Sequence, residues 1–386
     1  MLSTETSLGH GMDGELETKD WENLNTADIQ RLQFYYPQLH GAIDITWNSP
    51  RPFSSAALIR VENQTFFVKR SHRSFRSAQD LMQEHLFISH LSKKQLRVPE
   101  ILIANTGMSA IELDDWAYEI HRYSPSVDVY ADTPSWKPFL YAEHAWQTGA
   151  MLANLHLAAQ DYDVVVGRTA RYLVSTQQLL ESDYLVPALQ TRIESSRALS
   201  DYFKDKTLDS TLLLQLGQIH QKIVQPLQAC QKIWTHNDLH ASNLLWDAED
   251  QTAKIAAVID FGLCDRTSKV YDFAITIERN FIDWLALKNS NDIQIDYVGL
   301  EQFLRGYAAN MQTFEHFDIV PDLLTIVHVD FAMSELEYFV AITHNLSHAD
   351  AAYQDWLIAH TAWFFRVQGQ QFKQKLARLI QDILLK

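Results

Sequence analysis

A chain of 386 residues, 47% hydrophobic and 21% charged, has an ordinary globular composition and enough material for two lobes. Its formal net charge of -16 argues against general binding to nucleic acid or anionic membrane, both of which need Lys and Arg to neutralise phosphates. Polar residues interrupt every apolar run before it reaches membrane-spanning length. Two cysteines, Cys230 and Cys264, cannot form a disulfide framework, so a reduced, cytoplasmic protein is expected.

Met1 to Asp20 has neither the basic start nor the apolar centre of a targeting peptide, and residues 1–40 read as a flexible arm and lead-in. Gly41 to Asn48, Ala56 to Val61 and Thr65 to Lys69 read as strands, the last two joined by Glu62-Asn63-Gln64. From Ser74 to Ser92, the spacing of Ala78, Leu81, Met82, His85, Leu86, Ile88 and Leu91 predicts a helix with one buried face. Val98-Pro99 closes that region, and Met108 to Leu113 and Trp116 to Ile120 follow as strands around Asp114-Asp115. Pro125, Pro134 and Pro138 break Tyr123 to Phe139 into a linker. Helical stripes then cover Tyr141 to Ala159, Leu208 to Gln228, Val270 to Leu287, Leu300 to Met311, Leu323 to Ile342 and Ala351 to Leu385, with no internal repeat. The fold class is α+β and bilobal, with a small antiparallel-sheet lobe over residues 41–121 and a mainly helical lobe over 122–386.

The chemistry is concentrated in His236-Asn237-Asp238-Leu239-His240-Ala241-Ser242-Asn243 and in Ile259-Asp260-Phe261-Gly262. As H-x-D-x-x-x-x-N followed by D-F-G, these supply a base for an attacking hydroxyl, Asp238, and two magnesium ligands, Asn243 and Asp260, as phosphoryl transfer from ATP requires. The runs Asn243 to Asp247 and Lys254 to Ile259 flank a polar turn, a β-hairpin that would bring both ligands to one end. His236 and His240 also have the spacing of a zinc pair, but no H-E-x-x-H or cysteine pair accompanies them, and a loop-bracing role suits His236 better.

These motifs resemble those of the aminoglycoside phosphotransferase and choline kinase superfamily of small-molecule kinases, whose fold is similar to that of protein kinases. Asn237 stands where protein kinases carry arginine, His240 completes an H-x-D-x-H, and no A-P-E-like segment follows Gly262 at the expected place, which makes a peptide acceptor unsuitable. The resemblance implies that Lys69 holds the α and β phosphates and that Glu84, on the following helix, orients and neutralises it. A strand-end lysine and a solvated helix glutamate are the plain alternatives. The loop Asn48 to Ser55 should cover the phosphates but contains no glycine, leaving the hydroxyls or amides of Ser54 and Ser55, and Arg51, as candidate contacts beside the reading of an ordinary surface turn. Glu119 and His121 occupy the place of a hinge that offers backbone groups to adenine, with Val68, Ile101 and Leu245 as candidates to sandwich the ring. Asp272 is read as a brace of the catalytic loop, and Asp265, Arg266, Arg279 and Asn280 lie near the acceptor position.

The expected function is ATP- and Mg²⁺-dependent transfer of the γ-phosphoryl group to a hydroxyl of a small molecule. The alternative is a pseudokinase that binds nucleotide without turnover, for which only the glycine-free loop speaks. Glu278, Asp283, Glu301, Glu335 and Glu337 are expected to give the acceptor pocket a negative potential favouring cationic or neutral-polar acceptors.

Overall fold

The computed structural model describes residues 19–123, 126–206, 208–290 and 292–386. Its N-terminal lobe is an antiparallel sheet of β1 (Ile43–Asn48), β2 (Ser55–Val61), β3 (Gln64–His72), β4 (Glu100–Ile101), β5 (Ala110–Leu113) and β6 (Trp116–Arg122). The strands run β1-β2-β3-β6-β4, with β5 also paired to β6. Because side chains alternate along a strand, Ala57, Ile59, Phe66, Val68, Tyr118 and Ile120 share one buried face. Ala56, Leu58, Phe67, Lys69, Glu119 and His121 point the other way, into a cleft.

The first face is covered by the segment that precedes β1. Helix α1 (Thr26–Leu32) opens with a reciprocal Asn25–Asp28 capping box. Together with the turn Pro37–Leu39 it buries Leu24, Ile29, Leu32, Tyr36 and Leu39 against the sheet. The expected arm is therefore part of the lobe core from there on, and residues 1–18 lie outside the described residues. A helix of seven residues is too short to show periodicity, although its capping box was a readable signal.

Helix α2 (Ala78–Lys93), capped by Ser77 and Asp80, joins the lobes. Ala78 and Leu81 pack with Ala110 and Ala117 of the sheet, while Phe87, Ile88 and Leu91 enter the C-terminal core. In that lobe α3 (Ala142–Ala159) is followed by α4 (Leu185–Glu194), α5 (Arg197–Phe203) and α6 (Ser210–Ala229). Next come β7 (Lys232–Thr235), β8 (Leu244–Trp246), β9 (Ile255–Val258) and β10 (Asp265–Ser268), with β8 and β9 forming the expected hairpin and β7 paired to β10.

The remaining helices are α7 (Lys269–Asn280), α8 (Tyr297–Asn310), α9 (Val320–Leu323), α10 (Val329–Tyr338), α11 (Leu346–Ala351), α12 (His360–Trp363) and α13 (Val367–Ile383). Helices α3 and α8 cross closely, since a Cβ on Gly149 would stand 2.1 Å from the Phe303 carbonyl oxygen and one on Gly306 2.0 Å from that of Trp146. The two long helical stripes expected at the C-terminal end are broken by π-helical stretches, Phe339–Thr343 and Ala352–Ala359. Such wide turns often sit at functional sites, and here Phe339, Asp355 and Trp356 from them line the cleft. Among the described residues no helix is long and apolar enough to cross a membrane.

Candidate active site

The catalytic loop leaves β7 and is fixed from behind by one buried carboxylate. Asp272, on α7, accepts the backbone N–H groups of His236 at 3.1 Å and Asn237 at 2.8 Å, and lies 3.0 Å from His156 Nε2. Asn237 takes φ +60°, a left-handed conformation that Asn tolerates. Its amide donates to the carbonyls of Ser175 and Leu263, and its oxygen accepts from Thr235 and Thr267. The residue standing where protein kinases have arginine is thus an internal clamp. His236 Nδ1 accepts the Asp238 N–H at 3.2 Å, Nε2 donates to the Ile259 carbonyl at 3.2 Å, and the ring packs 4.7 Å from Phe261. Both ring nitrogens are occupied, which disposes of the zinc-pair reading. Asn280 accepts the Ala241 N–H at 3.0 Å and donates to the Leu239 carbonyl at 2.9 Å, so it braces the loop and is not among the residues that line the cleft.

So held, Asp238 turns its carboxylate into the cleft. Oδ1 is 3.2 Å from Arg279 and Oδ2 is 3.7 Å from His240 Nε2. Burial pushes the Asp238 carboxyl up, but Arg279 and His240 outweigh it and hold the group well below the usual carboxylate range. Burial and the Arg279 charge lower His240 to about 4, leaving a neutral imidazole at pH 7. The Arg279 guanidinium lies 3.9 Å over the Trp136 ring.

Asn243 Nδ2 donates to the Asp238 carbonyl at 2.8 Å and to its carboxylate at 3.2 Å, which leaves the amide oxygen for another partner. The Ile259 N–H bonds the Asn243 carbonyl at 2.9 Å, closing the open end of the β8–β9 hairpin. Asp260, at φ +55°, follows directly. Its Oδ1 accepts from Lys69 Nζ at 3.2 Å, and its side chain remains 49% exposed. Burial raises the Asp260 carboxyl, and Lys69 brings it below the ordinary value. Two hard oxygen donors at one end of a clamped hairpin are the donor set that Mg²⁺ prefers.

Lys69 therefore meets Asp260 rather than Glu84. Glu84 is buried beside Arg168 at 3.5 Å and Arg76 at 4.0 Å. The same arginines donate to the Gly262 carbonyl at 2.6 Å and 2.9 Å, so the helix glutamate neutralises the pair that fixes the end of the D-F-G segment. The counter-charge directly across from Lys69 is Glu119 on β6. Its carboxylate lies 2.9 Å from both His85 Nε2 and His121 Nε2. Burial would raise Glu119, but His121, His85 and Lys69 together hold it well below the ordinary range. His85, Glu119 and His121 are close enough to hold a metal ion. Their polar atoms already satisfy one another, however, and Lys69 stands opposite, so they make a counter-ion network.

This placement corrects the hinge assignment. Glu119 and His121 lie inside β6, between β3 on one side and β5 or β4 on the other, so their backbone groups belong to the sheet. The strand runs to Arg122, two residues beyond the expected end, and residues 124 and 125 of the following linker, Pro125 included, lie outside the described residues. Of the three apolar residues expected to sandwich the ring, Leu245 lines the cleft, Val68 faces the opposite core with Phe67 on the cleft side instead, and Ile101 packs against the C-terminal core and is not among the lining. Ser54 lines the cleft, as does Arg51, whose guanidinium donates to Ser135 Oγ at 2.9 Å. Ser55 is buried and gives its hydroxyl to the Glu22 carbonyl, so its side chain is not a phosphate contact.

The expected acidic pocket is likewise corrected. Asp283 pairs with Lys137, Glu301 with Arg305, and Glu337 with Arg171 and Arg192. Glu278 is buried 3.0 Å from His360, and burial pushes it up to about 7. Only Glu335 of the five lines the cleft, joined there by Asp355, Arg279 and Lys288, so the lining is mixed in charge. Burial also raises Glu335 to about 7. The cleft has a volume of about 1120 Å³ and contains Lys69, Asp238, Asn243 and Asp260 together. A second hollow, of about 1140 Å³ and lined in part by α4, α6 and α13, shares none of these residues.

Comparison with known proteins agrees with this geometry. The model of the phosphotransferase enzyme family matches residues 53–310. No curated protein matches the chain by sequence. Among solved structures, a microcompartment-associated aminopropanol kinase is 15% identical, with 92% of this chain and 99% of that one covered at a TM-score of 0.54. The amicoumacin kinase hAmiN, solved with AMP-PNP, Ca²⁺ and Ami, is 14% identical, with 93% and 94% covered and a TM-score of 0.54. A spectinomycin phosphotransferase solved with ADP and spectinomycin is 12% identical, with 93% and 100% covered and a TM-score of 0.53. At such identities the structural likeness establishes a shared fold. The family match spans two thirds of the chain and takes in Lys69, Asp238, Asn243 and Asp260, and this chain belongs to the phosphotransferase enzyme family.

Proposed function

We propose that the protein is a small-molecule kinase that transfers the γ-phosphoryl group of ATP, with Mg²⁺, to a hydroxyl of its acceptor. The observation that carries this reading is the arrangement of Asp238, kept ionised and aimed into the cleft, beside the oxygen donors of Asn243 and Asp260 on a clamped hairpin. Asp238 would orient the acceptor hydroxyl and take its proton. Asn243 and Asp260 would hold the metal, whose charge offsets that of the phosphates when bound. Lys69 would steady the phosphates from the sheet side. Transfer of this kind rests mainly on positioning and charge stabilisation. Two of the solved structures of similar fold contain AMP-PNP or ADP, which supports a nucleotide in the cleft.

The test is an ATP-consumption screen over hydroxyl-bearing metabolites with Mg²⁺ present, using Asp238→Asn as the blank. At least one acceptor should be consumed by the wild type and not by the variant. Equal consumption by both proteins across the panel would reject the assignment.

A further inference from the structure

The glycine-free loop between β1 and β2 is held in part by the N-terminal segment. Lys19 donates to the Ser49 carbonyl at one end of the loop, and Ser55 at the other end donates to the Glu22 carbonyl. Arg70 reaches that same carbonyl at 3.1 Å. Between these anchors Trp21 stacks on His72 at 4.8 Å and meets the edge of Trp116 at 5.3 Å, both on the N-terminal sheet. Its indole N–H donates to the Tyr338 hydroxyl at 2.9 Å, and that hydroxyl donates to Asp20 at 3.0 Å. Tyr338 ends α10 in the other lobe. Phe53, in the loop itself, packs 5.5 Å from the Tyr338 ring and 5.8 Å from Phe339.

We infer that residues 19–23 are a strap that positions the loop 48–55 over the nucleotide, with Trp21 and Tyr338 as its positioning residues. The inference rests on the reading of the cleft as a nucleotide site. A glycine-rich loop approaches phosphates through backbone freedom and loses that freedom on binding. This loop is instead tied at both ends and at Phe53 before a ligand arrives, so less ordering is left to the binding step. Strap and Tyr338 both lie outside the stretch that matches the family model, residues 53–310.

The test uses the full-length protein carrying Tyr338→Phe, which removes one hydroxyl and keeps the ring, and separately Trp21→Ala. Amide hydrogen exchange at Ser49, Arg51 and residues 53–55 without nucleotide should quicken about 2- to 10-fold in both variants, the loss of one or two hydrogen bonds, while exchange in the catalytic loop stays unchanged. Calorimetric Mg·ATP affinity should fall by a similar factor. Unchanged loop exchange in Tyr338→Phe and Trp21→Ala overturns the strap, and so does quickened exchange with wild-type Mg·ATP affinity. The nucleotide reading has its own control, Asp260→Ala: if that variant binds Mg·ATP as the wild type does, the cleft assignment has failed, whatever the exchange data show about the strap.

Discussion

The catalytic loop and the phosphate-side loop solve the same problem, holding a short irregular segment still, in opposite ways. At 236–243 nearly every support comes from a few buried polar side chains: Asp272 and Asn280 on α7, and Asn237 within the loop itself. At 48–55 the supports are a carbonyl, a lysine and an aromatic cluster drawn from the chain's first described residues and from α10 in the other lobe. The first loop is braced inside one lobe, and the second depends on how the lobes meet. Damage to the first should appear as lost chemistry or lost stability, and damage to the second as weakened nucleotide binding.

The largest effect should come from Asp238→Ala. Removing the group proposed to receive the acceptor proton is expected to lower kcat by about 10²- to 10⁴-fold in steady-state assays with the best acceptor. A kcat within a few-fold of wild type would mean the loop serves no chemistry. Next is Asp272→Ala, which leaves two backbone N–H groups and His156 without their partner. Urea unfolding should show a loss of about 2–5 kcal/mol, since each buried hydrogen-bonding group left unsatisfied costs about 1–3 kcal/mol. A change below the error of the fit would show that the brace is dispensable.

Smaller, and sharper as a comparison, is a pair of double-mutant cycles read by kcat/KM. Lys69 with Asp260, in contact at 3.2 Å, should couple by about 0.5–3 kcal/mol, whereas Lys69 with Glu84, which pairs with Arg168 instead, should couple more weakly. Strong coupling in the second cycle would restore the Lys69–Glu84 pair that the sequence motif suggests. The smallest effect concerns Glu278. Its carboxyl is raised from 4.5 to about 7, so folding favours its protonated form and its destabilising contribution grows as pH climbs between those values. Glu278→Gln should therefore raise the melting temperature more at pH 8 than at pH 5. An equal shift at both values would place its titration elsewhere.

What was legible in the sequence follows the same division. Asp238, Asn243 and Asp260 sit in a short motif joined by a hairpin, and strand alternation with a turn signal sufficed to bring them together. Arg279 was partly within reach, because it lies seven residues after Asp272 on α7, two helical turns along the same face, and Asp272 already points at the catalytic loop. Glu119 already lies within the expected strand, and counting alternation from Lys69 across the strand pair would have turned its side chain into the cleft; only His121 falls in the two residues by which β6 outruns its apolar pattern. No spacing rule links Arg76, Glu84 and Arg168, or Trp21 and Tyr338, which lie 317 residues apart. Those contacts exist because tertiary packing brings distant segments together, and nothing local records them.

The central claim is a division of labour: Asp238 serves the acceptor, and Asp260 serves the metal and nucleotide. Side-by-side calorimetric titration of wild type, Asp238→Ala and Asp260→Ala with Mg·ATP tests it most directly. The account predicts that Asp238→Ala binds within a few-fold of wild type while Asp260→Ala binds at least about tenfold more weakly, because only the second carboxylate would hold the metal that offsets the phosphate charge. Equal affinities in the two variants, or a larger loss in Asp238→Ala, would contradict it.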